Sequence, residues 1–313
     1  MGDLGSDGRR YLTSKKTVDD RALNQGVVRR LEAELRARGA RTLRVLEVGA
    51  GLGTMVARLV DWGLLRRAEY RLLDVDAQLL EDARVWLAAW ARQRGFEVHL
   101  GQAPERALSF RDETGISVSV LFIRAEVGAL LDESPPLPPA DLLVANAFLD
   151  LVDVPQLLPR LFDLCVPGGL YWFTINYDGE SIFLPEHPGD AVVVRAYHRS
   201  MDERIRYGRP AGESKTGRHL FAHLHTAGTS VLAAGASDWV VHGVPGGGYE
   251  ADEAFFLGVI LDTIETELGK RPAEVDPGVL RDWVAVRRRQ VTDGHLIYLA
   301  HQLDFVGHAP TAV

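Results

Sequence analysis

The sequence predicts an α/β fold built on a doubly wound, mostly parallel sheet. Three observations predict it. Short apolar strands alternate with amphipathic helices along residues 43–176, the first strand runs into a cluster of glycines, and the second ends on an acid, Asp74. The chain has 313 residues, enough to bury a sizeable core. Charged residues make up 25% and hydrophobic ones 46%, which excludes intrinsic disorder. A net charge of −8 argues against nonspecific nucleic-acid binding, which needs a concentrated positive surface. The single cysteine, Cys165, excludes a disulfide framework and a cysteine-rich zinc site, and reads as a small buried hydrophobe. No stretch approaches 18 consecutive apolar residues, so nothing is expected to span a bilayer, and the N-terminus lacks the apolar core of a signal peptide. Gly2 and Ser6 fit the loose myristoylation pattern, but a polar mobile tail over residues 1–16 is the reading adopted. A cytoplasmic protein follows, with no membrane or nucleic-acid partner.

The elements are expected in this order. Thr17-Val-Asp-Asp20 resembles a capping box that opens a helix through Ala22, Val27, Val28 and Leu31. Leu43–Val48 is a strand, Met55–Leu65 a helix, and Tyr70–Leu73 a strand ending at Asp74. A long helix carries Leu79, Ala83, Trp86, Leu87 and Trp90 at helical spacing. Phe96–Leu100 and Ser117–Ile123 are strands with a polar stretch between them. A short helix, Val127–Leu131, and the linker Ser134–Pro139 lead to a buried strand, Asp141–Ala145. Pro155–Cys165 is a helix closed by Pro167-Gly168-Gly169, and Leu170–Ile175 the next strand. Beyond it, Asp178–Gly217 is irregular with a helix near Ala191–Arg204; Leu220–Ala227 is helical and Val231–Val241 a strand. Helices Ala251–Leu268 and Pro277–Val291 follow, the second capped by Asp276-Pro277, and His295–Val306 closes the chain as a strand. The organisation is a tail and helix over 1–42, a ligand-binding core over 43–176, and sheet completion with covering insertions over 177–313.

The most informative segment is Leu46-Glu-Val-Gly-Ala-Gly-Leu-Gly53-Thr54. Glycines between a strand and a helix allow a sharp turn and a close backbone approach to a ligand. Asp74, at the end of the next strand, is placed to accept hydrogen bonds from a ribose diol. Gly49, Gly51 and Gly53 are spaced by two, so the dinucleotide fingerprint fails at Thr54, and no Walker lysine follows. The combination points to a nucleoside-containing ligand other than a dinucleotide or a triphosphate.

Glu47-Val-Gly49-Ala50-Gly51-Leu-Gly53 resembles motif I of the class I S-adenosylmethionine-dependent methyltransferases, and weaker likenesses extend over residues 43–176. The resemblance implies a Rossmann-like, mostly parallel sheet of seven strands and S-adenosyl-L-methionine as cofactor, leaving as S-adenosyl-L-homocysteine. It implies that Glu47 helps hold the methionine amino group, with Gly49, Ala50 and Gly51 along the methionine portion. Asp74 and the adjacent Val75 would meet ribose and adenine, as would Glu126 and Val127 in Arg124-Ala-Glu-Val127. Asn146, after the fourth strand, would stand beside the sulfonium. No Asn-Pro-Pro-Tyr or Asp-Pro-Pro-Tyr follows that strand, and Asn146-Ala-Phe-Leu-Asp150 is closer to the small-molecule branches.

Other constellations are weaker. His219 and His223 share a helix face, but Leu220 stands where a zinc protease carries glutamate, and no metal site is expected. Tyr177 and Asp178 are read as leaving the fifth strand where open α/β sheets bind ligands, and His198 follows; these three are the candidate catalytic residues, with Asp178 or His198 as base. Arg199, Tyr207 and Arg218 are candidates for polar recognition, and Phe255, Phe256, Ile260 and Trp283 for an apolar wall. The N-terminal helix, through Tyr11, Lys15 and Arg21, is placed to close the cofactor side. The expected activity is methyl transfer to O, N, S or C of a small molecule, by a monomer or homodimer. Another reaction on the same cofactor, and a non-catalytic binding protein, remain as alternatives.

Overall fold

The computed structural model describes residues 8–39, 41–101, 107–130, 137–206 and 208–311. Gly2, Ser6, Leu131, Ser134 and Tyr207 lie outside these. In chain order the elements are α1 (Gly8–Ala22), α2 (Gln25–Ala37), β1 (Leu43–Val48), α3 (Thr54–Asp61), β2 (Arg67–Asp74), α4 (Ala77–Gln93), β3 (Glu97–Leu100), β4 (Ala107–Arg111) and β5 (Ser117–Arg124). Next come α5 (Val127–Leu130), β6 (Ala140–Asn146), α6 (Val154–Asp163), β7 (Cys165–Leu184), α7 (Asp190–Asp202) and a small ribbon of β8 (Ile205–Arg206) and β9 (Arg209–Pro210). The chain ends with α8 (Thr216–Thr226), β10 (Ser230–Ala236), β11 (Trp239–Val241), α9 (Glu253–Gly269), α10 (Pro277–Thr292) and β12 (Ile297–His308).

One ten-stranded sheet dominates, in the order β10-β12-β7-β6-β1-β2-β5-β4-β3, with β11 also on β12. The five central strands, β7 to β5, run parallel, and β12 is inserted antiparallel between β7 and β10. The core is the doubly wound sheet the sequence predicts; β3, β4 and β11 are added to the seven strands implied. Residues alternate across it: Val45, Leu142 and Val144 face a core shared with α1, α2, α3, α4, α7, α9 and α10. Leu46, Val48, Leu143 and Ala145 face a second core under α5, α6 and α8. Cys165 is buried there, as expected.

The structure corrects several expectations. The first helix begins at Gly8, so residues 8–16 are helical, and Thr17-Asp20 lies inside α1, where Thr17 donates to Glu253. The capping residue is Asn24, whose side chain accepts the N–H groups of Gly26 and Val27 at the start of α2. β4 occupies part of the supposedly polar stretch, since only Leu108 and Phe110 of its five residues face inward. α6 ends at Asp163, and Pro167-Gly168-Gly169 belongs to β7. The predicted strand Val231–Val241 is broken between Ala236 and Trp239, where Asp238 turns to His301.

The largest difference is β7, which continues through Asp178 to Leu184 beside β12. Two bulges carry it there. At the first, Ile175 takes a left-handed φ of 57°, a strain of about 1–3 kcal/mol for such a residue. The buried carboxylate of Asp304 on β12 offsets it by accepting the Ile175 N–H at 2.8 Å, and holds the Asn24 N–H at 2.8 Å as well. Bonds to a charged group are each worth about 1.5–3 kcal/mol, so the bulge is held. It also shifts the alternation: Trp172, Ile175 and Tyr177 all point to the first core, and Asp178 to the other face.

Candidate functional site

The chain runs from β1 outward to β2 and β5, then crosses back to β6 and β7 on the other side of β1, so the crevice between the C-terminal ends of β1 and β6 is the topological switch point. The glycine loop lies on one side of it and Asn146–Asp150 on the other. Gly49, Gly51 and Gly53 have φ of 64°, 52° and 68°, all left-handed. A Cβ on Gly49 would stand 2.3 Å from the Phe148 ring, and one on Gly51 3.0 Å from Leu12 of α1. Gly53 serves packing, since its Cβ would meet Leu72 and Leu87 at 3.1 Å. Asp74 binds the loop from the next strand: Oδ2 accepts the Gly51 N–H at 2.9 Å and Oδ1 the Asp76 N–H at 3.0 Å. Burial raises its pKa, and each oxygen keeps a second lone pair for a hydroxyl. The Ala50 N–H is spent on Leu73 O. Val75, beside the acid, is 54% exposed and offers an apolar surface next to it. Glu126 caps α5 by accepting the Ala129 N–H, while Val127 is buried in the second core.

Beneath the loop lies a buried polar network. Glu47 accepts the Tyr70 hydroxyl at 2.7 Å, and burial pushes its carboxyl up to about 8. Arg58 of α3 bonds Asp20 at 2.5 Å and Thr54 at 3.0 Å. Lys15 pairs with Asp19 at 2.7 Å, and Trp239 donates to the same aspartate. Tyr11 stacks on Phe256 of α9, and Arg21 grips Glu253 at 2.7 Å. The three predicted closing residues of α1 thus all lock the helix down beside the loop.

Across the crevice, Asn146 Oδ1 accepts the Thr174 hydroxyl at 2.8 Å, and Ala147 takes a left-handed φ of 51°. A short 3₁₀ turn, Leu149–Leu151, then carries Asp150. Asp150 couples electrostatically to Tyr11 and Tyr197, and these phenols to Tyr298; burial raises the pKa of each of these groups. Tyr177 joins the cluster with its hydroxyl 2.6 Å from His198 Nε2 and 2.8 Å from Ser181 Oγ. Burial lowers the His198 pKa, against the pull of Glu180 and Asp202. His198 also reaches a groove of about 880 Å³ between β7 and α7, lined by Glu180, Ile182, Asp190, Arg195 and Lys215.

The structure therefore brings Tyr177 and His198 together and turns Asp178 away. Asp178 Oδ1 accepts both the N–H and the Nε of Arg218, and His301 lies 3.5 Å from its other oxygen. Phe256 and Trp283 are fully buried core rather than a wall, and Arg199 pairs with Glu274. His219 is bonded to Glu213, and among the described residues no three His, Cys, Asp or Glu side chains are grouped to hold a metal. No described helix is long and apolar enough to cross a membrane. Asp150, Tyr197 and Tyr298 are what sequence reasoning missed, whereas Tyr11 and Tyr177 were named. The signal was the position of Asp150 just past the fourth parallel strand, because Tyr197 and Tyr298 come from separate elements, α7 and β12.

No protein-family model matches the sequence, and no curated protein matches it. Solved structures do. A cyclopropane synthase of Mycobacterium tuberculosis is 12% identical over 98% of this chain and 95% of its own, with a TM-score of 0.47. A Bacillus halodurans protein proposed to be a methyltransferase is 13% identical over 90% and 99%, with a TM-score of 0.46. A phosphoethanolamine N-methyltransferase of Haemonchus contortus is 12% identical over 99% and 60%, with a TM-score of 0.41.

Proposed function

We propose that the protein is an S-adenosylmethionine-dependent methyltransferase acting on a small organic molecule. The observation that carries the reading is the left-handed glycine loop at the switch point, tied to Asp74 through the Gly51 N–H. The antiparallel β12 inside the sheet edge departs from the all-parallel dinucleotide order, which agrees with the failed fingerprint. The residues present fit the cofactor. Gly49 and Gly51 let Phe148 and Leu12 close over a bare backbone loop that would run along the methionine part, Asp74 would take the ribose hydroxyls, and Val75 and Glu126 would flank the adenine side. Glu47 lies under the loop to meet the amino group.

The bound cofactor supplies an electrophilic methyl group; this chain aligns the acceptor with it and excludes water. α1 and Phe148 frame the loop from both sides and provide that exclusion. Where the accepting atom carries a proton, His198 is its proposed destination: it is kept neutral by burial, and its Nε2 faces the Tyr177 hydroxyl. Asn146 stands nearest the switch point as a positioning residue.

Calorimetry with S-adenosylmethionine, S-adenosylhomocysteine and NAD tests the reading. The two sulfur nucleosides should bind and NAD should not. Asp74→Ala should weaken binding about 10- to 150-fold, the worth of a charge-assisted hydrogen bond. Preference for NAD, or unchanged affinity in the variant, overturns it.

A further inference from the structure

We propose that the groove between β7 and α7 binds a small organic acid, a carboxylate or phosphate monoester on an apolar body. The proposal goes beyond the methyl-transfer reading and does not depend on it, since none of the loop glycines, Asp74 or Asn146 lines this groove. β6 pairs with β7 only as far as Thr174, whereas β12 follows it to Leu184. The outer edge of Gly179–Leu184 therefore has no strand beside it, and α7 stands across the gap to leave a cavity of about 880 Å³. That volume suits a small molecule. Its helix wall, from Ala191 to Asp202, is about 16 Å long at the α-helical rise, so the cavity is elongated.

The charged groups along it are unevenly satisfied. Asp190 accepts from Arg287, Trp283 and the His187 N–H, and Asp202 accepts the Ser214 N–H at 2.7 Å. Arg199 is paired with Glu274. Among the described residues, the side chains of Arg195 and Lys215 make no hydrogen bond or ion pair. Arg195 stands about one turn before His198 on α7. Lys215 comes from the opposite wall, where its Cγ would lie 3.3 Å from a Cβ on Gly179.

His198 lines the same groove. The Tyr177 phenol is the more acidic partner and donates to its Nε2 at 2.6 Å, so the neutral ring carries its proton on Nδ1, which has no acceptor among the described residues. Three unspent N–H donors, two of them cationic, thus serve one cavity. An oxyanion can accept from all of them in charge-assisted bonds. An alcohol would meet them without charge, and an amine would add a cation to two already present. Glu180, which also lacks a partner and lies within electrostatic reach of His198, is the charge such a ligand works against. Ile182, 46% exposed, and Leu184 and Val194 offer the apolar surface for the body of the ligand.

The test is calorimetry on the full chain without cofactor, so its failure leaves the methyl-transfer reading untouched. 3-Phenylpropionate and phenyl phosphate are titrated beside 3-phenylpropylamine and 3-phenylpropanol. At least one acid should bind in preference to both the amine and the alcohol, and the tighter of the two acids tells carboxylate from phosphate. Replacing both cations together, Arg195→Ala with Lys215→Ala, should weaken acid binding about tenfold or more, the worth of a charge-assisted hydrogen bond. Both side chains are exposed, so the double variant should keep the wild-type melting temperature. Ile182→Glu should also weaken the acid, because it adds a negative charge to the groove, and Glu180→Gln should tighten it by removing one. No binding of either acid, a preference for the amine or the alcohol, affinity unchanged in the double variant, or the reverse signs at positions 180 and 182 overturns the proposal. Displacement of the acid by S-adenosylhomocysteine would place it in the glycine-loop crevice and overturn it equally.

Discussion

Glu47 and Asp304 are buried carboxyls whose pKa the fold raises, and both set how stability follows pH. Burial raises Glu47 from 4.5 to about 8 and Asp304 from 3.8 to about 6. A carboxyl whose folded pKa exceeds its unfolded one binds more protons in the native state, so its contribution to stability falls as pH rises between the two values. For Glu47 that window runs from 4.5 to about 8, and for Asp304 from 3.8 to about 6. His198, lowered by burial, acts in the opposite sense and loses stability as pH falls through its ordinary range. Glu47→Gln isolates the first effect above pH 6. The wild-type melting temperature should decline relative to that of the variant from pH 6 to 8, in scans at matched ionic strength. Parallel profiles would show that Glu47 is already ionised in the fold. The sequence marked Glu47 as a cofactor residue but could not show this behaviour, since its partner Tyr70 is on the next strand and Arg58 on the following helix.

Among the elements, those with local signals were legible and those held by distant partners were not. β1 was read to its residue bounds, and α10 was found with its Asp276 cap, because apolar runs, caps and glycines are local chemistry. The second half of β7 was not, because Asp178-Gly179-Glu180 has the composition of a turn and becomes strand only through pairing with β12. That pairing decides the site: the bulge at Ile175 sends Tyr177 toward α7 and Asp178 toward α8. The Tyr177–His198 contact therefore belongs to a strand–helix pair and is tested as one. Turnover should fall along an acid limb below the ordinary imidazole range, where His198 becomes protonated. His198→Gln should remove that limb and lower kcat by about 100-fold or more, with cofactor affinity retained. A limb that persists in the variant would move proton transfer elsewhere.

At the scale of the whole molecule, the division at residue 176 falls inside β7, and the sheet is closed across it by the last strand of the chain. β12 pairs with β7 from Leu170 to Leu184 and carries β10 and β11 on its other side. Its Asp304 ties the start of α2 to the Ile175 bulge, so the C-terminal strand holds the N-terminal helices to the centre of the sheet. α1 is fastened the same way, by Arg10 to Asp252 and by Arg21 to Glu253 on the far side of the sequence. A fragment ending at residue 176 would lose all of these and expose a long unpaired edge of apolar β7, a template for aggregation. The glycine loop would still be encoded in it, but α1 would keep only its contacts to Gly51 and Arg58 and lose its anchors on α9 and β11. The full chain should unfold in urea as one transition, with far- and near-ultraviolet circular dichroism coincident. Residues 1–176 alone should show no cooperative transition and no near-ultraviolet signal. A fragment that melts cooperatively and binds S-adenosylhomocysteine would make the glycine-loop half an independent domain, and β12 a later addition to a sheet already stable without it.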